Sequence, residues 1–212
     1  MDNGLQHTKR VRVTLSSFVC DAPARAFIKQ SKGHAGYYGC DYCMQKGESR
    51  GRRMTFPSLT ANERTDQMFR LHAQTDHHIG HSPLEQLPLN MITCFPPDYM
   101  HCVCLGFVRR FLKLLRSVPI GHQARLSPAA WNNLHNKMEK LRPSITVDFP
   151  RKCRGVLELD HWKASECRQF LLYIGPVVLQ GLLPTAVYEC FMCFSVCTYL
   201  ACSPYYCNHY FD

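Results

Sequence analysis

From Gln169 to Phe211 the chain carries a single formally charged side chain, Glu189. A stretch so poor in charge has to be covered, either by lipid or by other parts of a protein. Pro176 and Pro184 interrupt it, whereas a membrane-spanning helix needs roughly 20 continuous apolar residues. Glu189 would also lie in lipid with no evident partner. The run is therefore expected to form helices packed within protein, with no membrane partner.

The remainder of the chain is polar enough to enclose such a core. Hydrophobic residues make up 46% of the 212 and charged ones 19%, which excludes a disordered tail. Lysine and arginine exceed aspartate and glutamate by nine. That excess suits a polyanion such as nucleic acid, although an anionic membrane surface would attract it as well. Thirteen cysteines would suit a disulfide scaffold in a small secreted chain. The opening MDNGLQHTKRVRV, however, lacks the apolar stretch of a signal peptide. Reduced thiols, some of them on metal, are the better reading, and they point to the cytosol or nucleus.

Residues 10–20 alternate, with Val11, Val13 and Leu15 set against Arg12, Thr14 and Ser16, before the run Phe18, Val19, Cys20. The pattern predicts a strand that ends at Asp21. Asp21 and Pro23 then suit the N-cap and first turn of a helix over Ala22 to Lys29. Gly33, Gly36 and Gly39 follow, then a basic loop from Lys46 to Arg53. Further helices are expected over Asn62 to Gln74, Asp98 to Val118, and Pro128 to Leu141 behind an N-cap at Ser127. In the second of these, Val103, Phe107, Val108, Phe111, Leu114 and Leu115 recur at helical spacing.

Two constellations carry chemistry. Cys40 and Cys43, in GCDYC, can present two thiolates to one tetrahedral zinc ion. The further ligands could come from His72, His77, His78, His81 or His101, the last of which has Cys102 and Cys104 beside it. The bland readings are buried, unligated thiols and hydrogen-bonded histidines. The second constellation is acidic. Asp21 at a strand end and Glu166 on a helix could converge if that helix crosses the sheet edge. Glu166 shares a helical face with Trp162, Phe170 and Tyr173, where a metal would stabilise it; a neighbouring arginine or lysine would do so equally well. Asp21 could simply be a helix cap.

Four blocks, CDAPARAF, KGHAGYYGCDYC, PPDYMHCVCLGFVRR and HWKASECRQFLLYIGPVVL, occur in the order found in the transposase domain of CACTA-like DNA transposons. Together they cover roughly residues 10–200, and the chain closely resembles that family. The resemblance implies an α/β fold: a partial ribonuclease H-like core interrupted by a large, mostly helical zinc-binding insertion. On that reading residues 1–30 belong to the core, 31–155 to the insertion, and 156–212 to a helical return to the core. Asp21 matches the second acid of the DDE triad and Glu166 the third. Such acids hold two Mg²⁺ ions that activate the attacking oxygen and stabilise the leaving one during strand cleavage and transfer. Related transposases and recombinases carry a CxxC after the second acid and histidine ligands later. Cys40 and Cys43 match it, with His101 as the preferred histidine and His78 as the fourth ligand of a structural zinc.

The family's first aspartate belongs on an earlier strand, and only a few residues precede the strand expected to end at Asp21. Asp2 has no strand context and Asp98 reads as a helix cap. The chain alone is therefore expected not to cut DNA. The basic groups Arg50, Arg52 and Arg53, then Arg109, Arg110, Lys113 and Arg116, then Arg151, Lys152 and Arg154 could neutralise phosphates. Arg109, Arg110 and Lys113 are the preferred contacts. The implied partners are DNA at transposon ends and further copies of the chain in a full-length protein; the implied place is the nucleus. The alternative is a non-enzymatic, zinc-stabilised remnant that binds DNA or protein.

Overall fold

The computed structural model describes residues 10–210; Asp2 lies outside them. The chain divides into two compact units, Met1–Pro97 and Asp98–Asp212.

In the first unit, helix α1 (Ala22–Lys29) forms where its caps predict. Asp21 Oδ1 accepts from the Ala24 N–H at 2.9 Å, and Gln30 ends the helix in the left-handed conformation. The strand expected before it is absent among the described residues. Val11, Val13 and Leu15 are exposed. Only Cys20 makes a parallel bridge, to Pro97, while the Phe18 N–H donates to Cys94 O at 2.7 Å. Alternation makes a strand only where a neighbour supplies the ladder, and beyond the single contacts of Phe18 and Cys20 none is formed along residues 10–20 among the described residues.

The basic segment, expected to be a loop, instead forms a hairpin of β1 (Glu48–Arg50) and β2 (Arg53–Thr55). Gly51 and Arg52 both take positive φ (55° and 62°), the backbone of a two-residue turn that matches strand twist. The helix expected over 62–74 is reduced to α2 (Asp66–Arg70). Thr65 caps its N-terminus and His72, at φ 50°, reverses the chain beyond its end.

The apolar core of this unit is small: Phe69, Met91, Ile92 and Phe95. Beside it lies a buried charge cluster. Lys29, fully buried, places Nζ 3.1 Å from Asp41 Oδ1, and Arg25 Nε lies 2.7 Å from Asp41 Oδ2. The Lys29 ammonium also sits 5.0 Å from the Phe69 ring centre and 5.5 Å from that of Phe95, so aromatic faces and one carboxylate replace its water.

The second unit is helical. A wide π-type helix (Met100–Val108) runs directly into α3 (Arg109–Ser117), followed by α4 (Pro128–Leu141), whose Ser127 side chain accepts from Ala130 N. Then come α5 (Ala164–Gln169), a second π-type turn (Phe170–Ile174), α6 (Gly175–Val178), α7 (Thr185–Ala201) and α8 (Pro204–Tyr210). The π-type winding changes which face is buried. Val108, Leu112 and Leu115 face inward, whereas Leu114, expected in the stripe, is 37% exposed. A turn wider than the α-helical one rotates the positions after it.

The core gathers Trp131, Leu134, Trp162, Phe170, Leu171 and Phe191. Within the charge-poor run, α7 buries Phe191, Ser195 and Thr198, and Ser195 Oγ donates to Leu171 O at 2.7 Å. Its other face leaves Cys190, Cys193 and Cys197 exposed. Among the described residues no helix is long and apolar enough to cross a membrane.

Candidate metal centre

The Cys40–Cys43 pair is assembled locally. Gly36 N–H donates to Gly33 O (2.8 Å) and Gly39 N–H to Gly36 O (3.0 Å), two successive tight turns that deliver Cys40. A Cβ on Gly39 would lie 2.1 Å from Gly33 O, so only glycine allows the turns to close. Gly39→Ala is expected to displace Cys40 and weaken zinc binding by at least tenfold; competition with a zinc-selective chromophoric chelator measures it.

The two Sγ atoms lie 3.1 Å apart as free thiols. That is somewhat closer than the edge of about 3.8 Å that two thiolates span on tetrahedral zinc. Beneath them runs Arg64, 3% exposed, whose Nη2 donates to Cys43 O (3.1 Å) and Gln74 Oε1 (2.6 Å). Its Nε and Nη1 are buried without a hydrogen-bond partner. Burial opposes the Cys43 thiolate, but a hydrogen bond from Gln45 Nε2 at 3.0 Å, the backbone, Cys40 and the Arg64 charge together bring it below the usual thiol value. Cys40 is raised by burial and by its bond to Cys43. Two adjacent thiols beside a buried cation suit a site whose thiol protons are released when a metal binds.

Among the described residues of this unit, no third donor atom joins the two thiols within 4.8 Å. His78, the expected fourth ligand, is 9% exposed and packs between the rings of Phe69 (4.6 Å) and His72 (3.8 Å). Burial pushes its pKa down to about 4 and leaves both ring nitrogens without partners. His77 Nδ1 is bonded to Tyr38 O at 2.7 Å. His101 belongs to the second unit, at the start of its π-type helix, where Nδ1 meets the Asp98 carboxylate.

The sequence reading missed a different grouping. His72, His81 and Glu85 bring one ligand atom each within 4.8 Å of one another. The His81/Glu85 spacing of four residues was its available signal; the approach of His72 is tertiary.

The acids have structural partners. Asp21 caps α1. Glu166, 1% exposed, lies in the second unit with every oxygen engaged. Oε1 accepts from Arg154 Nε (2.8 Å) and Arg154 N (3.3 Å), and Oε2 from Arg154 Nη2 (2.8 Å) and Lys163 N (2.8 Å). Burial alone would raise its pKa, but the guanidinium and the two backbone donors outweigh burial and lower it. The face expected to hold Glu166 is also rearranged. Trp162 precedes α5 and donates Nε1 to Gly155 O, and Tyr173 is 45% exposed. A forked guanidinium on a buried carboxylate fills the positions that Mg²⁺ would need, so Glu166 in this arrangement does not fit a magnesium site.

The basic candidates divide likewise. Arg109 Nη2 donates to Trp162 O, and Lys113 Nζ lies 2.6 Å from Asp160 Oδ1. Arg110 is exposed, as are Arg52 and Arg53 at the hairpin. Comparison with protein-family models, with curated proteins and with solved structures finds no match.

Proposed function

We propose that this chain is a segment of a DDE-type DNA transposase that binds DNA on a zinc-stabilised scaffold and does not itself cut DNA. The family reading rests on the four sequence blocks and their order, and the zinc on the Cys40–Cys43 pair. The absence of cleavage rests on one observation above all, the closed Arg154–Glu166 pair, in which the carboxylate matched to the third acid is neutralised and already saturated with donors. The excess of nine basic over acidic residues and the exposed Arg52, Arg53 and Arg110 favour a phosphate backbone as ligand, in keeping with a nuclear protein.

The test is a pair of assays on the purified, zinc-loaded chain. Duplex DNA is expected to bind with an affinity that falls steeply with salt, and Arg110→Ala should reduce the slope of log affinity against log salt by about one. Supercoiled plasmid with Mg²⁺ or Mn²⁺ should remain intact. Metal-dependent nicking that Glu166→Ala abolishes would refute the proposal, and so would salt-independent DNA binding.

A further inference from the structure

We propose a second, cysteine-free metal site in the first unit, in which His72 Nε2, His81 Nδ1 and Glu85 hold a first-row divalent cation, with zinc the best fit. Each ligand is set by its own local structure. His72 occupies the left-handed position just past α2, where its N–H donates to Phe69 O at 3.0 Å and the Ala73 N–H to Met68 O at 3.0 Å. Helices commonly place glycine at this position, because a side chain there costs roughly 1 kcal/mol; here it is a histidine at φ 50°. His81 directly precedes a capping box in which Ser82 N–H donates to Glu85 Oε1 at 2.9 Å. Ser82 Oγ ties that turn to Ile28 O at 2.7 Å, which fixes the turn that presents Glu85.

The donor spacings suit one small ion. His81 Nδ1 lies 3.4 Å from Glu85 Oε2, and His72 Nε2 lies 3.8 Å from Glu85 Oε1. Donors about 2.0–2.1 Å from tetrahedral zinc sit about 3.3–3.4 Å from each other, so the donor atoms are near enough, and turning the stacked His72 and His81 rings to aim their lone pairs at one point completes the geometry. Independent of this spacing, His72 Nε2 is buried with no hydrogen-bond partner, a condition that a buried polar atom seldom tolerates.

The rings of the three histidines lie against one another. His72 stacks on His78 at 3.8 Å with 9° between planes, and on His81 at 4.2 Å. Two imidazoles can each turn a lone pair toward one dication, and Glu85 supplies the balancing charge. Two imidazoles and a carboxylate form a donor set that zinc accepts with one position left for water. His78 backs His72 without joining the set.

Cobalt(II) serves as the probe, because thiolate ligands add a ligand-to-metal charge-transfer band that nitrogen and oxygen ligands lack. In the intact chain, titration is expected to show two components, one with that band and one with d–d absorption alone. His81→Ala, whose side chain is 79% exposed and whose loss should leave the fold intact by circular dichroism, is expected to remove the second component and weaken its affinity by at least about 100-fold, more than outer-shell changes cost. Cys40→Ser with Cys43→Ser should remove only the first. Glu85→Gln should reproduce the His81→Ala result, and if it fails to fold, His81→Ala decides alone. Unchanged titration of the thiolate-free component in His81→Ala, or binding only at concentrations where wild type and variant are equal, overturns the site.

Discussion

Asp41→Ala is expected to destabilise the first unit by about 3–5 kcal/mol, the range seen when one member of a buried ion pair is removed and the other stays behind. Asp41 holds two cations, Arg25 at 2.7 Å and Lys29 at 3.1 Å. Lys29 is fully buried and has no water to turn to. Burial already holds its pKa below the usual lysine value despite the attraction of Asp41; without the carboxylate that depression deepens. The sign follows directly. A lysine whose folded pKa lies below its unfolded one makes the unfolded state the better proton binder, so the variant should regain stability as pH rises toward the ordinary lysine value. Lys29→Met in the Asp41→Ala background should recover much of the loss, because a methionine needs no counter-ion between Phe69 and Phe95. Urea unfolding at two pH values measures both effects, and additive losses in the double variant would show that the pair is not coupled.

The second large effect is expected at Glu166, where Glu166→Ala should cost the second unit about 2–3 kcal/mol. The carboxylate accepts from the Arg154 side chain and from the backbone N–H groups of Arg154 and Lys163, and hydrogen bonds to charged groups are worth about 1.5–3 kcal/mol each before the freed donors find water. Arg154 can find it, since its side chain is 26% exposed, which keeps the total below the sum. The direction separates two readings of this residue. A carboxylate kept for metal-dependent chemistry is commonly a burden on the fold, so its removal is neutral or stabilising; a carboxylate that joins Arg154 to α5 is missed. Because the folded pKa of Glu166 lies below its ordinary value, its contribution is complete above that value and lost as pH falls through the folded pKa. Acid unfolding of wild type should therefore converge with that of the variant, which thermal melts from pH 7 to pH 3 would follow.

What could be read from the sequence was what short-range chemistry decides. Helices α1 and α4 begin where Asp21 and Ser127 offer a side-chain acceptor and Pro23 and Pro128 fit the first turn. The Cys40–Cys43 pair follows from two intervening residues and three glycines. The failures are where a partner lies far along the chain or where backbone geometry changes type. The alternation of 10–20 has no ladder to join. The helix expected over 62–74 is confined between the Thr65 cap and the reversal at His72. The π-type winding from Met100 exchanges Leu112 for Leu114 in the core. For Glu166, pairing with a basic neighbour was legible as an alternative, but its identity as Arg154, twelve residues away, was not. The His72–His81–Glu85 grouping escaped because stacking of His72 on His81 is a tertiary event.

The distribution of sulfur in the second unit gives it an internal clock. Cys190, Cys193 and Cys197 stand in solvent along α7, while Cys104, Cys153 and Cys167 are sealed in the core, the latter three with thiols pushed up chiefly by burial. An alkylating reagent should mark the first three promptly and reach the others only when the helices part. The interval between those two waves of modification, read by mass spectrometry, times the spontaneous opening of the core without a substitution anywhere in the chain.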